Sequence, residues 1–244
     1  MHQLLPDELQ VDRLDTLLAA DERPAPPGRP WVMANMVTSV DGAIAVDGRS
    51  GGLGGAPDRA MFAAVRSLPD VVLVGAGTAR TERYRRPAPG PAADERVARG
   101  QAPAPRLAVV SRRGELPDDQ PFLEGAGPDP LLFHPAARTP AELPPGVEPR
   151  PVGTAEVDLA ELLAALAADG ARTVLCEGGP TLLGSLHHAD LVDELFVTIS
   201  PHLVGGPGGR MLTSAVEHLT DLTLHRLLVD GDVMLATYRR TGRT

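Results

Sequence analysis

The sequence predicts an α/β fold with a mostly parallel central sheet, flanked by helices, and an antiparallel hairpin at its C-terminal end. Apolar strand patterns alternate with helical patterns along most of the chain. The strands predicted at 70–75 and 173–176 are almost continuously apolar, as parallel strands buried on both faces are. Near the C-terminus, two strand patterns are separated only by the turn Asp230-Gly231, which favours a hairpin.

The N-terminal residues predict a helix followed by a linker. Val11, Leu14, Leu17 and Leu18 recur at helical spacing between about residues 6 and 20, and a Pro-rich run at 23–30 ends the pattern. We therefore divide the chain into an N-terminal helix with its linker, residues 1–30, and a main domain, residues 31–244.

The main domain is predicted to open with a strand at 31–38, the turn Asp41-Gly42 and a Gly-rich loop. Pro57 then begins a helix. Arg59 and Arg66 lie seven residues apart, opposite the apolar face, so we expect them to face solvent. That apolar face consists of Met61, Ala64, Val65 and Leu68.

The rest of the chain continues the alternation. Residues 87–105 are rich in Pro, Ala and Gly and predict a surface excursion. Asp158 is placed to cap a helix that stops at Asp169-Gly170, and Pro180 is suited to the first position of a helix over 181–188. The remaining strands are expected at 106–110, 131–134, 193–200, 219–229 and 233–239.

Composition excludes several classes of function. The 244 residues suit one large domain or two small ones. All 23 basic residues are arginine, so a lysine Schiff base and the phosphate-loop lysine of nucleotide hydrolases are excluded. The single cysteine, Cys176, allows no internal disulfide, which fits a reducing, cytoplasmic setting. A net charge of −9 argues against nucleic-acid binding, and the sequence has no secretion signal or membrane-spanning segment.

Two strands end in glycine just before a helix, at Gly75-Ala76-Gly77-Thr78 and at Glu177-Gly178-Gly179-Pro180-Thr181. Such ends offer free backbone N–H groups, and glycine lets a pyrophosphate approach the backbone. The two ends could bind one dinucleotide, although each by itself could be an ordinary turn. A third strand ends in Ser111-Arg112, a hydroxyl and a guanidinium that suit the 2′-phosphate of NADP, or else form a solvated basic turn.

Other polar residues allow both a functional and a structural interpretation. Asp41 could accept hydrogen bonds from an amino-pyrimidine or support protonation of an imine, or it could simply form a turn with Gly42. Glu177 could orient a cofactor amide or ribose, or only end its strand. His187 and His188 point about 100° apart on a helix, so no metal site is expected. Cys176 lies in an apolar strand and is expected to be a buried, inert thiol.

Five ordered motifs make the chain similar to the reductase domain of riboflavin biosynthesis, a family with a dihydrofolate-reductase-like fold. The resemblance covers about residues 31–238 and makes 31–244 a reductase domain; the signatures of the fused zinc deaminase domain are absent from the sequence. The motifs are Met33-Ala-Asn-Met-Val-Thr-Ser39-Val-Asp41-Gly42, Val72-Leu-Val-Gly75-Ala-Gly77-Thr78, Val174-Leu-Cys-Glu177-Gly178-Gly179-Pro180-Thr181-Leu, Leu191-Val-Asp193-Glu194-Leu and Pro201-His-Leu-Val-Gly205-Gly206.

The resemblance implies NADPH-dependent reduction of a phosphoribosylamino-pyrimidine. Hydride would reach the ribose carbon of the opened imine, and the family is usually homodimeric. It implies catalytic roles for Asp41 and Glu177, and substrate contacts from Ser39 and Asp41. The positions implied for the cofactor are Ala34, Gly75, Thr78, Ser111, Arg112, Glu177, Gly178, Gly179, Pro180 and Thr181.

Two departures concern the region that would hold a ribosyl phosphate. Ala43 stands where the family's pyrimidine reductases often have lysine, and Glu82-Arg83-Tyr84 replaces an Asp-Asn-Pro stretch. We expect Arg59, Arg66, Arg85 or Arg86 to supply the missing positive charge. A pterin reductase of the dihydrofolate-reductase type and a non-catalytic NADP(H)-binding protein are the alternatives.

Overall fold

The computed structural model describes residues 1–116, 119–140, 142–207 and 209–242 and divides the chain into two compact units. The first unit comprises Met1–Glu22, Val32–Val65 and Pro180–Thr244, and the second comprises Arg23–Trp31 and Arg66–Gly179. The strands are β1 His2–Leu5, β2 Leu9–Gln10, β3 Trp31–Ser39, β4 Val71–Gly75, β5 Arg106–Val110, β6 Leu131–His134, β7 Glu148–Pro151, β8 Thr173–Cys176, β9 Glu194–Ser200, β10 Leu222–Asp230 and β11 Val233–Arg240. The helices are α1 Leu14–Ala19, α2 Ala56–Arg66, α3 Ala76–Thr81, α4 Ala93–Ala98, α5 Leu159–Ala168 and α6 Pro180–His188.

The first unit contains strands in the order β2-β1-β10-β11-β9-β3. All neighbours in this group are antiparallel except β9 and β3, which run parallel from Met33 opposite Glu194 to Ser39 opposite Ser200. The hairpin predicted around Asp230-Gly231 is confirmed, with Asp230 opposite Val233. The parallel pair brings the end of β3 beside the segment that follows β9.

The second unit contains strands in the order β8-β4-β5-β6-β7, all parallel. Val72, Val74, Leu107, Val109 and Leu132 are buried in one cluster, as expected for strands covered on both faces. The α/β fold predicted from the continuous apolar runs is therefore confirmed, and β5, β6 and β8 have the predicted bounds. Asp158 caps α5 as predicted, because its side chain accepts hydrogen bonds from two backbone N–H groups of the first turn.

The N-terminal prediction was wrong in its detail. The helix covers only Leu14–Ala19, and the residues before it add β1 and β2 to the sheet of the first unit. The Asp21 carboxylate accepts hydrogen bonds from both terminal nitrogens of Arg226 on β10, at 2.5 and 2.9 Å, and Arg226 Nε donates to Gln3 Oε1 at 2.8 Å. Helical spacing within residues 6–20 carries no information about pairing with a strand more than 200 residues later, so the local pattern could not reveal these contacts.

Two further elements were not predicted. The excursion at 87–105 contains α4, and β7 adds an edge strand after β6. Arg96 of α4 is buried and donates hydrogen bonds to the carbonyls of Ser67, Pro69 and Ala102, which fastens the excursion to its surroundings in the second unit. Pro149 and Pro151 make β7 atypical in sequence, and an edge strand is where proline is tolerated.

In the first unit, α6 packs closely against the backbone near Thr213. The Thr213 N–H donates to the Pro180 carbonyl at 3.0 Å. A Cβ atom added to Gly184 would lie 2.0 Å from the Thr213 carbonyl oxygen, so only glycine fits this helix position. None of the helices in the described ranges is long and apolar enough to cross a membrane.

Candidate active site

Three strand ends meet at one edge of the second unit's sheet. Gly75 lies opposite Val110, and Leu73 lies opposite Cys176. The residues that follow β5 and β8, Ser111 and Glu177, therefore flank the end of β4. The three strand ends were predicted to bind one dinucleotide, and the parallel order β8-β4-β5 brings them together. Ligands of open α/β sheets bind at this carboxyl edge.

A glycine turn joins two of these strand ends. The Gly75 N–H donates to the Gly178 carbonyl at 2.9 Å, and Gly178 has a φ of +88°, which favours glycine. The peptide bond between Gly178 and Gly179 is cis. A Cβ atom on Gly179 would lie 2.4 Å from Thr78 Oγ1, so glycine permits the close approach of the turn to the start of α3. This leaves a backbone surface without side chains at the sheet edge.

Glu177 is held by two side chains at the end of β8. Its carboxylate is 2% exposed and forms a bidentate ion pair with Arg66, with Nε to Oε1 and a terminal nitrogen to Oε2 both at 2.7 Å. The Tyr84 hydroxyl also donates to Oε2 at 2.7 Å. We call these three residues the Glu177 cluster. Three short hydrogen bonds from a cation and a hydroxyl fix the orientation of the carboxylate.

The cluster shifts the titration of both partners of Glu177. Burial, reinforced by the nearby Glu177 charge, raises the pKa of Tyr84 well above its ordinary value. Burial opposes the charge on Arg66, but the Glu177 carboxylate outweighs it and raises the pKa of the guanidinium. Arg66 also lies against the Tyr84 ring, with its guanidinium carbon 5.4 Å from the ring centroid. Tyr84 therefore stays a neutral hydrogen-bond donor beside a permanent ion pair.

In the first unit, Ser39 and Asp41 connect the end of β3 to the segment after β9. The Ser39 hydroxyl donates to Asp41 Oδ1 at 2.5 Å, and Asp41 Oδ2 accepts from the Gly205 N–H at 2.7 Å. These bonds, led by the Ser39 hydroxyl, and a weaker one from the Val204 N–H lower the pKa of Asp41 to about 2. Asp41 is thus an exposed, ionised acceptor and not a proton donor near neutral pH.

The geometry agrees with a family match that covers most of the chain. Residues 30–236 match the family described as the RibD C-terminal domain. The chain belongs to this family. The 2,5-diamino-6-ribosylamino-4(3H)-pyrimidinone 5′-phosphate reductase of Methanothermobacter thermautotrophicus is 29% identical over 221 residues, which cover 88% of this chain and 100% of that protein.

A second relative and a solved structure are also similar to this RibD C-terminal domain. The riboflavin biosynthesis protein RibD of Mycobacterium tuberculosis is 29% identical over 197 residues, which are 80% of this chain but only 49% of that protein. The crystal structure of a pyrimidine reductase-like protein from Corynebacterium diphtheriae superposes with a TM-score of 0.76 at 23% identity, covering 88% of this chain and 93% of that one. The fold is therefore shared with that structure, and the family predicted from the five motifs is confirmed.

Other predicted cofactor positions in this RibD C-terminal domain have mixed surroundings. Ser111 is buried and donates to the Glu115 carbonyl at 3.0 Å, whereas Arg112 is exposed beside it. Ala34 is fully buried in β3. Pro180 and Thr181 form the first turn of α6 in the first unit. The exposed Arg112 side chain is therefore accessible to a phosphate group.

The four arginines expected to replace the missing lysine differ in their surroundings, and Arg85 is exposed. Arg66 was predicted to face solvent, which is wrong, because it lies at the end of α2 and pairs with Glu177. Arg86 is committed to the loop 122–129, where it donates to three backbone carbonyls and to Asp129, so it is poorly placed to bind substrate. Arg59 is exposed as predicted, and Ala43 is buried.

Tyr84 was not predicted to be a member of the site. Its segment was noted only as a departure from the family pattern, and no periodicity points a loop tyrosine toward a strand end 93 residues away. Cys176 is buried as predicted, and burial raises its pKa to about 12. His187 makes an edge contact with the ring of His218 at 5.1 Å between centroids. Among the described residues, no group of three or more His, Cys, Asp or Glu is arranged to hold a metal ion.

Proposed function

We propose that this RibD C-terminal domain is an NADPH-dependent reductase of a phosphoribosylamino-pyrimidine. Its reaction would reduce the imine formed when the ribose ring opens. The observation that carries the proposal is the match to the archaeal pyrimidinone phosphate reductase over the whole length of that protein. The relative's name identifies a ribosylamino-pyrimidine phosphate as its substrate, and we extend this substrate class to the present chain.

The sheet edge of the second unit fits the proposed cofactor. Gly75, Gly178 and Gly179 leave the backbone bare where a pyrophosphate would approach, and Thr78 lies beside them. The exposed guanidinium of Arg112, just after β5, suits the 2′-phosphate. NADPH would supply the hydride when bound, and the protein supplies orientation and charge.

The charges of the two proposed catalytic carboxylates define their roles. Reduction of the imine adds a hydride to carbon and a proton to nitrogen. Asp41 has a pKa of about 2, and Glu177 accepts three hydrogen bonds from Arg66 and Tyr84. Asp41 therefore acts as an exposed hydrogen-bond acceptor, whereas the buried Glu177 acts through the residues and the glycine turn that it holds, and we infer that the proton on nitrogen is drawn from solvent.

Binding of the substrate phosphate would require a positively charged side chain. Of the four arginines considered for it, Arg59 and Arg85 are exposed to solvent. The first unit has Ala43, which is buried, where the family's pyrimidine reductases often have lysine. A pterin substrate without a ribosyl phosphate is therefore the second candidate. We further propose that the protein is a cytoplasmic homodimer. Light scattering on the purified chain tests its oligomeric state.

The deciding experiment follows NADPH oxidation at 340 nm with four substrates. These are 2,5-diamino-6-ribosylamino-4(3H)-pyrimidinone 5′-phosphate, its deaminated analogue, the first compound without its phosphate, and dihydrofolate. We expect turnover with a phosphorylated pyrimidine and a clear loss without the phosphate. Turnover with dihydrofolate alone would favour the pterin reductase. Tight NADPH binding without oxidation by any compound would favour a non-catalytic binding protein.

A further inference from the structure

Tyr84 connects the two glycine-ended strands of the second unit. Its backbone N–H donates to the Ala79 carbonyl at 2.9 Å, which attaches it to α3, the helix that follows β4. Its hydroxyl donates to Glu177 Oε2 at 2.7 Å, which attaches it to the end of β8. One residue thus joins the elements that follow both strands.

Arg66 contacts both Tyr84 and Glu177 and so restrains the link between them. Its guanidinium occupies both oxygens of Glu177 and also contacts the Tyr84 ring. The Glu177 carboxylate is almost completely buried, so water cannot readily replace a lost donor. The hydrogen bond from the Tyr84 hydroxyl to Glu177 therefore contributes more to stability than an exposed hydrogen bond would.

The position of Glu177 is transmitted to the glycine turn. The Glu177 N–H donates to the Leu73 carbonyl at 3.0 Å, and the next residue, Gly178, accepts from the Gly75 N–H. Gly179 then lies against Thr78 with no space for a Cβ atom. A shift of Glu177 would therefore displace the backbone that faces the proposed pyrophosphate.

We propose that Tyr84 is a positioning residue for cofactor binding, which holds the Glu177 end of β8 against α3 and thereby fixes the Gly178-Gly179 turn. The proposal rests on the proposed function, because it takes NADPH as the ligand of this turn. Tyr84 stands in the segment where the family pattern has Asp-Asn-Pro, so its hydrogen bond to Glu177 is not part of that pattern. If Tyr84 only filled space, phenylalanine would serve equally well.

The test compares Tyr84→Phe with Tyr238→Phe. The chain has two tyrosines, and Tyr238 is half-buried on β11 in the first unit, outside the proposed site. Isothermal titration with NADPH and NADH should give Tyr84→Phe on the order of tenfold weaker binding of both cofactors, because a hydrogen bond to a buried charge is lost. KM for NADPH should rise more than kcat falls, and Tyr238→Phe should match the wild type.

A titration of tyrosine absorbance at 295 nm provides a readout without substrate or cofactor. In Tyr238→Phe the remaining tyrosine should ionise at much higher pH than an ordinary tyrosine, and Glu177→Gln added to that variant should lower the midpoint. An ordinary midpoint would overturn the proposal, even where Tyr84→Phe fails to fold. Normal cofactor affinity in a folded Tyr84→Phe would overturn it too and leave the proposed function standing. No NADPH binding by the wild type would overturn both.

Discussion

The substitution Asp21→Asn should weaken the attachment of residues 1–22 to the sheet of the first unit. The Asp21 side chain is 11% exposed and that of Arg226 is 6% exposed, so the pair is largely shielded from water. Arg226 also binds Gln3 of β1. Asp21→Asn keeps the shape of the side chain but leaves the guanidinium without its counter-charge, and this affects both ends of the segment 1–22.

The magnitude follows from the burial of the pair. Removing one partner of a buried ion pair costs about 3–5 kcal/mol. For a chain of 244 residues, each kcal/mol lowers Tm by about 2–4 °C. Asp21→Asn should therefore lower Tm by about 6–20 °C. Asp15→Asn is the matched control, because Asp15 pairs with Arg13 at a site where the side chains are 31% and 59% exposed, and such pairs contribute at most about 1 kcal/mol.

Thermal unfolding followed by circular dichroism measures the difference, and limited proteolysis shows whether residues 1–22 become cleavable before the rest. Asp21→Asn should combine a lower Tm with early cleavage in this segment. The reasoning is refuted if its Tm falls no further than that of Asp15→Asn. Equal protection of the segment in both variants would show that pairing of β1 with β10 suffices without the ion pair.

Four other predictions concern single residues. Arg112→Ala should weaken NADPH binding much more than NADH binding in calorimetric titrations; equal losses would place Arg112 away from the 2′-phosphate. Asp41→Asn should lower turnover while sparing NADPH affinity. Because the pKa of Asp41 is depressed to about 2, its charge stabilises the fold above about pH 4 and this contribution fades as pH falls through 2, so the Tm difference from wild type should shrink over that range. Gly184→Ala forces a methyl group against a backbone carbonyl and should lower Tm by several degrees, whereas Gly77→Ala, whose methyl meets no atom within 4 Å, should not; equal Tm values would contradict the packing argument. Cys176, with its pKa raised to about 12 by burial, should resist iodoacetamide in the native protein and react after denaturation, as mass spectrometry would show; native labelling would disprove its burial.

Local sequence patterns predicted the buried parallel strands well. The continuous apolar runs of β4, β5 and β8 predicted buried parallel strands, and parallel strands place their carboxyl ends at one edge. Local patterns therefore place the glycine-ended turns and the Ser111-Arg112 pair at strand ends, and the strand order of the structure makes them neighbours. Two of the five family motifs cover the glycine-ended turns after β4 and β8.

The Glu177 cluster escaped prediction because its contacts are distant in sequence. Arg66 lies 111 residues and Tyr84 lies 93 residues from Glu177. Helical periodicity showed only that Arg66 points away from the apolar face of α2, and it carries no information on the contacts of Arg66 with Glu177 and Tyr84. The pairing of β1 with β10 was missed for the same reason. Charges that pair across such separations leave no spacing in the sequence.

The arginines that fasten loops have a consequence for sequence variation. Arg86 and Arg96 donate mainly to backbone carbonyls, at 122, 123 and 127 and at 67, 69 and 102. A carbonyl is present whatever the side chain, so the residues of these loops are free to vary while the two arginines are not. Lysine would be a poor replacement, since one ammonium group lacks the planar fork that reaches several carbonyls at once. Among homologues, we expect these arginines to persist inside loops whose own sequences diverge.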